Sequence, residues 1–169
     1  IKLWKDRGPC GKNFLVRSRN RFAKRSVLTV TVDVPSERCR KGVVFWRDSD
    51  EHRQDIATLI KWIKIKTQAP LWLIGTSCGS ASVAYLAGSL SVDGAVFIAT
   101  VTEISNARKP TAYDADLRKI KVPSLIAHHK EDACSATPVD SLPAFAAALK
   151  NTPKVETILF DGGDPDISG

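Results

Sequence analysis

The sequence predicts an α/β protein, a three-layer α/β/α sandwich built around a mostly parallel sheet. Short runs of β-branched and apolar residues alternate along the chain with segments whose apolar residues have helical spacing. This alternation favours parallel strands joined by right-handed crossovers, with helices on both faces of the sheet. A length of 169 residues suits one domain with its own core. We therefore expect a single domain over residues 1–169.

The first part of the chain predicts one strand and one helix. Val27–Val32 is rich in valine and threonine, as strands are. Val43–Trp46 is a weaker apolar run, which we interpret as the anchor of a loop. Asp50–Lys66 is predicted to be helical, with Ser49 as its cap and acidic residues in its first turn. Its apolar stripe, at helical spacing, comprises Ile56, Leu59, Ile60 and Ile63.

The second part of the chain predicts four more strands and two helices. The strands are expected over Pro70–Ile74, Ala95–Ala99, Val122–Ala127 and Val155–Phe160. Pro70–Ile74 is apolar throughout, as a strand covered on both faces should be. A helix of small residues is expected over Ser80–Leu90, and residues 102–119 read as a loop or short helix. Thr137 can cap the last helix, with Pro138 at its first position. The apolar stripe of that helix would be Leu142, Phe145, Ala146 and Leu149.

Composition and charge limit the classes of partner. The chain is 43% apolar and 25% charged, which is typical of globular proteins, and it has no apolar run of the roughly 20 residues that a membrane span needs. Its net charge is +7, with basic residues concentrated in Arg17–Arg25 and in Lys61–Lys66. A basic cluster can attract nucleic acid, but no aromatic residues interleave with these cations to form a stacking platform. We therefore favour solvated helix faces over a nucleic-acid partner, and binding of an anionic polymer through Arg17–Arg25 is the alternative.

The cysteines and histidines do not predict a metal site. The chain has four cysteines and three histidines, and no two cysteines form a C-x-x-C pair. A structural zinc site needs a denser set of ligands than this.

The chain also has no methionine. We therefore expect that the sequence was processed or cut from a longer product.

The segment Gly75–Gly79 carries the strongest chemical signal. It reads Gly-Thr-Ser-Cys-Gly, a G-x-S-x-G motif between a predicted strand and a predicted helix. In that context the serine lies on a strained turn, so small residues are expected two positions to either side. The motif predicts Ser77 as a nucleophile, with the backbone N–H of Cys78 able to bind an oxyanion. The alternative is a glycine-rich turn whose serine only caps the helix.

A serine nucleophile needs a base and an acid that orients the base. In a parallel sheet, chemistry collects at the carboxyl ends of the strands, and the acid follows the serine along the chain. Asp132 lies just past the strand predicted over Val122–Ala127. It is the predicted acid, and Glu131 is the competing carboxylate. The alternative is that both are solvated loop acids.

The chain resembles an α/β-hydrolase, and in particular a subgroup of bacterial serine hydrolases. The matching segments are Asn13–Ala23, Val32–Glu37, Phe45–His52, Leu71–Ala84, Val122–Pro138 and Phe160–Gly169. The resemblance implies a partial α/β-hydrolase fold and an esterase-like reaction on a small-molecule acyl substrate, with no metal or organic cofactor. It makes Ser77 the nucleophile, Cys78 an oxyanion-hole N–H and Asp132 the triad acid.

The chain also departs from that family pattern. The resemblance places the catalytic histidine after the Gly162-Gly163 loop, where this sequence has none, and the early strands and the second oxyanion loop are missing. We therefore expect an internal piece of a hydrolase that is inactive by itself. His129 is the alternative base, although the resemblance gives His128 and His129 a structural or pocket-lining place. We expect His52 at the surface.

The missing base leaves a second functional hypothesis open. A hydrolase-like domain without its triad histidine could be catalytically inactive and serve as a binding or scaffold domain. The first hypothesis predicts a reactive Ser77, and the second predicts an elbow without a reactive serine.

Overall fold

The computed structural model describes residues 13–38, 44–104 and 110–162. The chain divides into two compact units, Ile1–Gly42 and Val43–Gly169. In the described part of the first unit, α1 (Phe14–Ala23) begins at Asn13, whose side chain accepts a hydrogen bond from the N–H of Leu15. A short 3-10 helix follows at Ser36–Arg38.

The strand predicted over Val27–Val32 is wrong for this structure. The segment does not form a strand, and the side chains of Val27, Leu28 and Val32 are about half exposed or more, at 48%, 67% and 54%. Valine and threonine favour a strand because they pack well on a pleated surface beside a hydrogen-bonded neighbour. None of the described residues supplies that neighbour, so composition alone does not produce a strand.

The second unit is built on a four-stranded sheet in which every strand pair is parallel. The strands are β1 (Trp72–Ser77), β2 (Gly94–Thr100), β3 (Ser124–His129) and β4 (Val155–Phe160), in the order β1-β2-β3-β4. The helices are α2 (Asp50–Lys66), α3 (Cys78–Ala87) and α4 (Leu142–Ala148). Single-turn 3-10 helices occur at Val44–Trp46, Ala112–Asp114, Leu117–Lys119 and Val139–Ser141. The α/β class with a parallel sheet is confirmed.

The core of this unit lies where the central strands meet the helices. Phe97 on β2, Ile126 on β3 and Phe145 on α4 are fully buried, and the rings of Phe97 and Phe145 pack edge to face at 5.2 Å. The predicted apolar stripe of the last helix is confirmed at Leu142, Phe145 and Leu149. No helix within the described ranges is long and apolar enough to cross a bilayer.

The helix predicted over Asp50–Lys66 is confirmed, and the hydroxyl of Ser49 accepts a hydrogen bond from the N–H of His52 as a cap should. His52, however, is only 6% exposed, so its prediction as a surface residue is wrong. It lies two turns before the buried Ile60 on the same helix face and packs on Trp46, with ring centroids 4.3 Å apart. The buried face of α2 therefore begins at His52, four residues before Ile56, the first aliphatic residue of the predicted stripe. An imidazole ring can fill such a core position.

β1 differs from its prediction as a strand covered on both faces. Trp72 and Ile74, which point to the same side, are 44% and 43% exposed. β1 stands at one end of the strand order, and no described layer covers these two side chains. Its observed end, Ser77, also lies three residues later than the predicted Ile74, so the strand runs directly into the G-x-S-x-G motif.

The last helix begins later than predicted. Pro138 precedes a single 3-10 turn, and α4 starts at Leu142 with a proline at its second position. The hydroxyl of Thr137 does not cap a helix, because it donates to the carboxylate of Asp132 at 2.8 Å. The Thr137 hydroxyl, which the sequence predicted as a helix cap, therefore hydrogen-bonds to the loop after β3.

Candidate active site

The predicted nucleophile and the predicted acid lie on one edge of the sheet. Ser77 ends β1 beside Thr100 of β2, and β3 ends at His129, three residues before Asp132. β1 and β3 are separated by β2 alone, so their carboxyl ends are about 10 Å apart at the usual strand spacing. The fold therefore gathers both segments at the edge where parallel sheets carry their chemistry.

Ser77 has the backbone conformation of a strained turn. Its φ of 51° and ψ of −128° lie in a region that L-residues rarely adopt, at a cost of about 1–3 kcal/mol. β1 ends at this residue and α3 begins at the next one, so no loop residue separates the strand from the helix. The whole change of chain direction therefore falls on Ser77. Ser77 is exposed, and its side chain makes no capping bond to α3. The alternative in which the serine only caps the helix is therefore not supported.

The two glycines of the motif are not equivalent. A Cβ at Gly75 would overlap the carbonyl oxygen of Gly79 and lie 2.7 Å from Cγ2 of Val83, so only glycine fits there. A Cβ at Gly79 would meet no atom within 4 Å outside its own helix. The prediction that both positions must be small is thus correct for Gly75 and wrong for Gly79. The asymmetry arises because β1 passes directly under the first turn of α3.

Ser80 holds the turn in place, and the sequence analysis did not identify it. The side chain is fully buried, and its hydroxyl donates to the carbonyl oxygen of Ser77 at 2.7 Å. The hydroxyl oxygen of Ser80 also accepts a hydrogen bond from the backbone N–H of Val101, just past β2, at 3.0 Å. Ser80 thus ties the strained residue to the neighbouring strand. Its only sequence signal was a small polar residue three positions after Ser77.

Cys78 places its backbone N–H where an oxyanion could bind. It is the first residue of α3, and the first N–H groups of a helix have no acceptor within the helix. They also carry the positive end of the helix dipole. An anion beside Ser77 would therefore meet a backbone donor and a favourable field.

The carboxylate of Asp132, and not that of Glu131, is fixed by contacts with neighbouring residues. The side chain of Asp132 is 10% exposed. Its Oδ2 accepts from the Thr137 hydroxyl and lies 3.1 Å from Nε2 of His128, while Oδ1 accepts from the backbone N–H of Cys134 at 3.0 Å. The residue Glu131 is exposed. The loop after β3 thus orients one carboxylate of the two.

His128 and His129 have ring nitrogens engaged by backbone groups, and His52 is buried. His128 is buried, and its Nε2 lies 2.9 Å from the carbonyl oxygen of Thr137. The Nδ1 of His129 accepts from the backbone N–H of Glu131, and its Nε2 lies 2.9 Å from the carbonyl oxygen of Gly162. To act as the base, His129 would have to give up two hydrogen bonds. His52 is buried beneath Trp46.

Arg47 and His52 bring buried polar atoms close to the first turns of α3. Arg47 donates from Nη1 to the hydroxyl of Ser82 at 3.2 Å, whereas its Nε and both ring nitrogens of His52 are buried without a hydrogen-bond partner. Burial, and secondarily the charge of Arg47, lowers the pKa of His52 to about 4. Burial also lowers the pKa of Arg47, although the nearby Cys78 opposes this.

We expect the stability of the protein to fall as the pH falls from about 6.5 towards 4. In the unfolded chain His52 binds a proton near pH 6.5, but in the folded chain only near pH 4, so the unfolded state takes up more protons in this window. His52→Phe should remove this contribution. Thermal unfolding of both proteins between pH 7.5 and 4.5 measures it, with pH 7.5 as the control for packing alone. Equal pH dependence in the two proteins would contradict the assignment.

The described residues hold no cluster of three or more potential metal ligands. Cys78 and Cys134 are free thiols. The expectation of a cofactor-free reaction stays a prediction.

In the α/β-hydrolase fold, a parallel strand runs through a strained serine directly into a helix, and the junction of β1 and α3 has this geometry. No protein-family model and no curated protein matches the sequence. The structure is similar to an α/β serine hydrolase homologue from Coxiella burnetii, at 20% identity and a TM-score of 0.50, covering 69% of this chain and 53% of that one. The resemblance is therefore confirmed at the level of the fold.

Two further structures show the same likeness. A candidate dienelactone hydrolase from Klebsiella pneumoniae is 15% identical with a TM-score of 0.51, over 71% of this chain and 61% of that one. An acylaminoacyl peptidase from Pyrococcus horikoshii is 12% identical with a TM-score of 0.51, over 73% of this chain and 25% of that one. The chain thus spans about half of the Coxiella protein and less than two thirds of the Klebsiella protein, and it has part of the α/β-hydrolase fold.

Proposed function

We propose that this chain is part of a serine hydrolase that cleaves an ester-like or other acyl bond of a small molecule through an acyl-enzyme on Ser77. The observation that carries the proposal is the backbone of Ser77, which is strained, exposed and uninvolved in capping at the junction of β1 and α3. Strained backbone of this kind clusters at active sites. The similar solved structures, which include an α/β serine hydrolase homologue and an acylaminoacyl peptidase, support the fold on which the proposal rests.

In this mechanism the Ser77 hydroxyl attacks the substrate carbonyl carbon while its proton passes to a histidine base. The carbonyl oxygen becomes an oxyanion, which the N–H of Cys78 and the N-terminus of α3 stabilise. Collapse expels the leaving group, which takes the proton from the histidine, and leaves the acyl-enzyme. Water then attacks by the same route and releases the acid. Asp132 would orient the base and stabilise its imidazolium form.

The base is the part of the proposal that these 169 residues do not supply. Each of the three histidines is buried or has both ring nitrogens engaged. We place the base, and a second oxyanion donor, in sequence of the natural protein outside these residues. The chain by itself should therefore hydrolyse an activated ester hardly at all.

The test is labelling with a fluorophosphonate, which reacts with activated serines, in the natural full-length protein that contains this chain. We expect labelling of the wild type, its loss in Ser77→Ala, and a drop of about 10³-fold or more in hydrolysis of p-nitrophenyl acetate. Ser91→Ala is the matched control, because Ser91 is an exposed serine on the connection before β2. Labelling that survives in Ser77→Ala would assign the nucleophile elsewhere. A folded wild type that is not labelled would favour the alternative, an inactive hydrolase-like binding domain.

A further inference from the structure

The carboxylate of Asp132 is fixed on one side by two buried groups. Thr137 is 2% exposed and His128 is 2% exposed, and both lie against the same oxygen, Oδ2. We propose that Thr137 and His128 are positioning residues that hold Oδ2 and thereby direct Oδ1 of Asp132 to the catalytic base. This inference rests on the proposed function, in which Asp132 is the triad acid.

The surroundings of the His128 ring determine where its hydrogen lies. Nε2 faces two acceptors, the carbonyl oxygen of Thr137 at 2.9 Å and Oδ2 of Asp132 at 3.1 Å. A ring nitrogen between two acceptors must carry the hydrogen. Nδ1 is buried without any hydrogen-bond partner. The side chain of His128 is fully buried, so it acts as a fixed donor to the loop and not as a base for substrate.

Thr137 closes the arrangement. Its hydroxyl donates to Oδ2 of Asp132 at 2.8 Å, and its own carbonyl oxygen faces Nε2 of His128. The three residues therefore form a closed set of contacts between the end of β3 and the loop that follows it. Because each member is held by the other two, the carboxylate has little freedom to rotate.

A count of acceptor sites then distinguishes the two carboxylate oxygens. A carboxylate has about four lone-pair sites, two on each oxygen. Oδ2 receives the Thr137 hydroxyl and faces His128, while Oδ1 receives one donor, the N–H of Cys134. The remaining site is on Oδ1. The geometry therefore assigns Oδ1 as the oxygen that accepts the N–H of the triad histidine.

The arrangement should also tune the reaction's pH dependence. His128 is the titratable side chain that the structure places in contact with Asp132, and the other donors are a hydroxyl and a backbone N–H. Donors to a carboxylate stabilise its charge and weaken its hold on another cation. Loss of the Thr137 hydroxyl should therefore strengthen the pairing of Asp132 with the protonated base. The acidic limb of kcat/KM would then move to higher pH.

The test compares pH profiles of kcat/KM for p-nitrophenyl acetate in the natural full-length protein. In Thr137→Val we expect the acidic limb to rise by about half a pH unit and kcat to fall about tenfold, and in Thr137→Ser both should stay close to wild type. Thr58→Val is the matched control, because Thr58 is an exposed threonine on α2. A limb that stays in place in Thr137→Val, with or without a uniform loss of rate, overturns the positioning role.

Two further measurements separate this inference from the function on which it rests. If Asp132→Asn keeps wild-type activity, Asp132 is not the triad acid and the proposed function is overturned. If Asp132→Asn loses activity but the acidic limb of kcat/KM does not move in Thr137→Val, only the positioning role is overturned. If Thr137→Val does not fold, the tautomer of His128 in the natural full-length wild-type protein decides the matter. A long-range ¹H–¹⁵N spectrum should show the Nε2-protonated ring, and an Nδ1-protonated ring would overturn the inference.

Discussion

Gly75→Ala is expected to destabilise the protein by about 3 kcal/mol or more, because the added Cβ has no room. It would overlap the backbone oxygen of Gly79 and press on Val83, and backbone cannot move aside as a flexible side chain can. Relief would require β1 and α3 to separate, which would also displace Ser77. We therefore expect loss of fluorophosphonate labelling together with the loss of stability, measured by urea unfolding and by labelling of the folded fraction.

Gly79→Ala is the matched control for this prediction. The same added methyl group meets no atom outside its helix, and alanine is a better helix former than glycine by up to about 1 kcal/mol. The variant should be as stable as the wild type or slightly more so, and it should keep its reactive serine. Equal destabilisation by the two substitutions would show that the close approach of β1 to α3 does not decide the motif.

Asp132→Asn is expected to lower kcat of the full-length protein by about 10³–10⁴-fold, as the loss of a triad acid does. An amide is uncharged and cannot stabilise the imidazolium form of the base. Its NH₂ group must also face a donor, since the Thr137 hydroxyl approaches one carboxylate oxygen and the Cys134 N–H approaches the other. A stability loss of about 1–3 kcal/mol should accompany the kinetic effect.

Glu131→Gln is the matched control for this substitution. It makes the same chemical change at the neighbouring, exposed residue, which lies outside the contacts that hold Asp132. It should change kcat by less than about twofold. A larger effect at Glu131 than at Asp132 would reverse the assignment of the acid.

Much of the sheet could be predicted because its strands are short runs rich in apolar and β-branched residues. The runs at Ala95–Ala99 and Val155–Phe160 match β2 and β4 closely. Val27–Val32 has equally strong composition but forms no strand, because a strand also requires a partner that the segment itself cannot provide. A segment can therefore have the composition of a strand, but it becomes a strand only when a second segment pairs with it.

The residues that support the site could not be read from the sequence. Ser80, His128 and Thr137 are ordinary polar residues whose roles depend on what the fold places beside them. Thr137 even carried a misleading local signal, since a threonine before a proline is a good helix cap. Its hydroxyl was instead taken by Asp132, five residues away along the chain.

The sequence by itself determined the parallel α/β class, the position of the elbow at Gly75–Gly79 and the candidate acid after β3. The patterns that indicate these features, namely apolar runs, helical spacing and a five-residue motif, occupy consecutive positions in the chain. Tertiary structure decided which glycine of the elbow is sterically required, which carboxylate is held and which histidines are buried. Those outcomes depend on atoms from different strands and helices meeting in space, and a contact of that kind leaves no periodic trace along the chain.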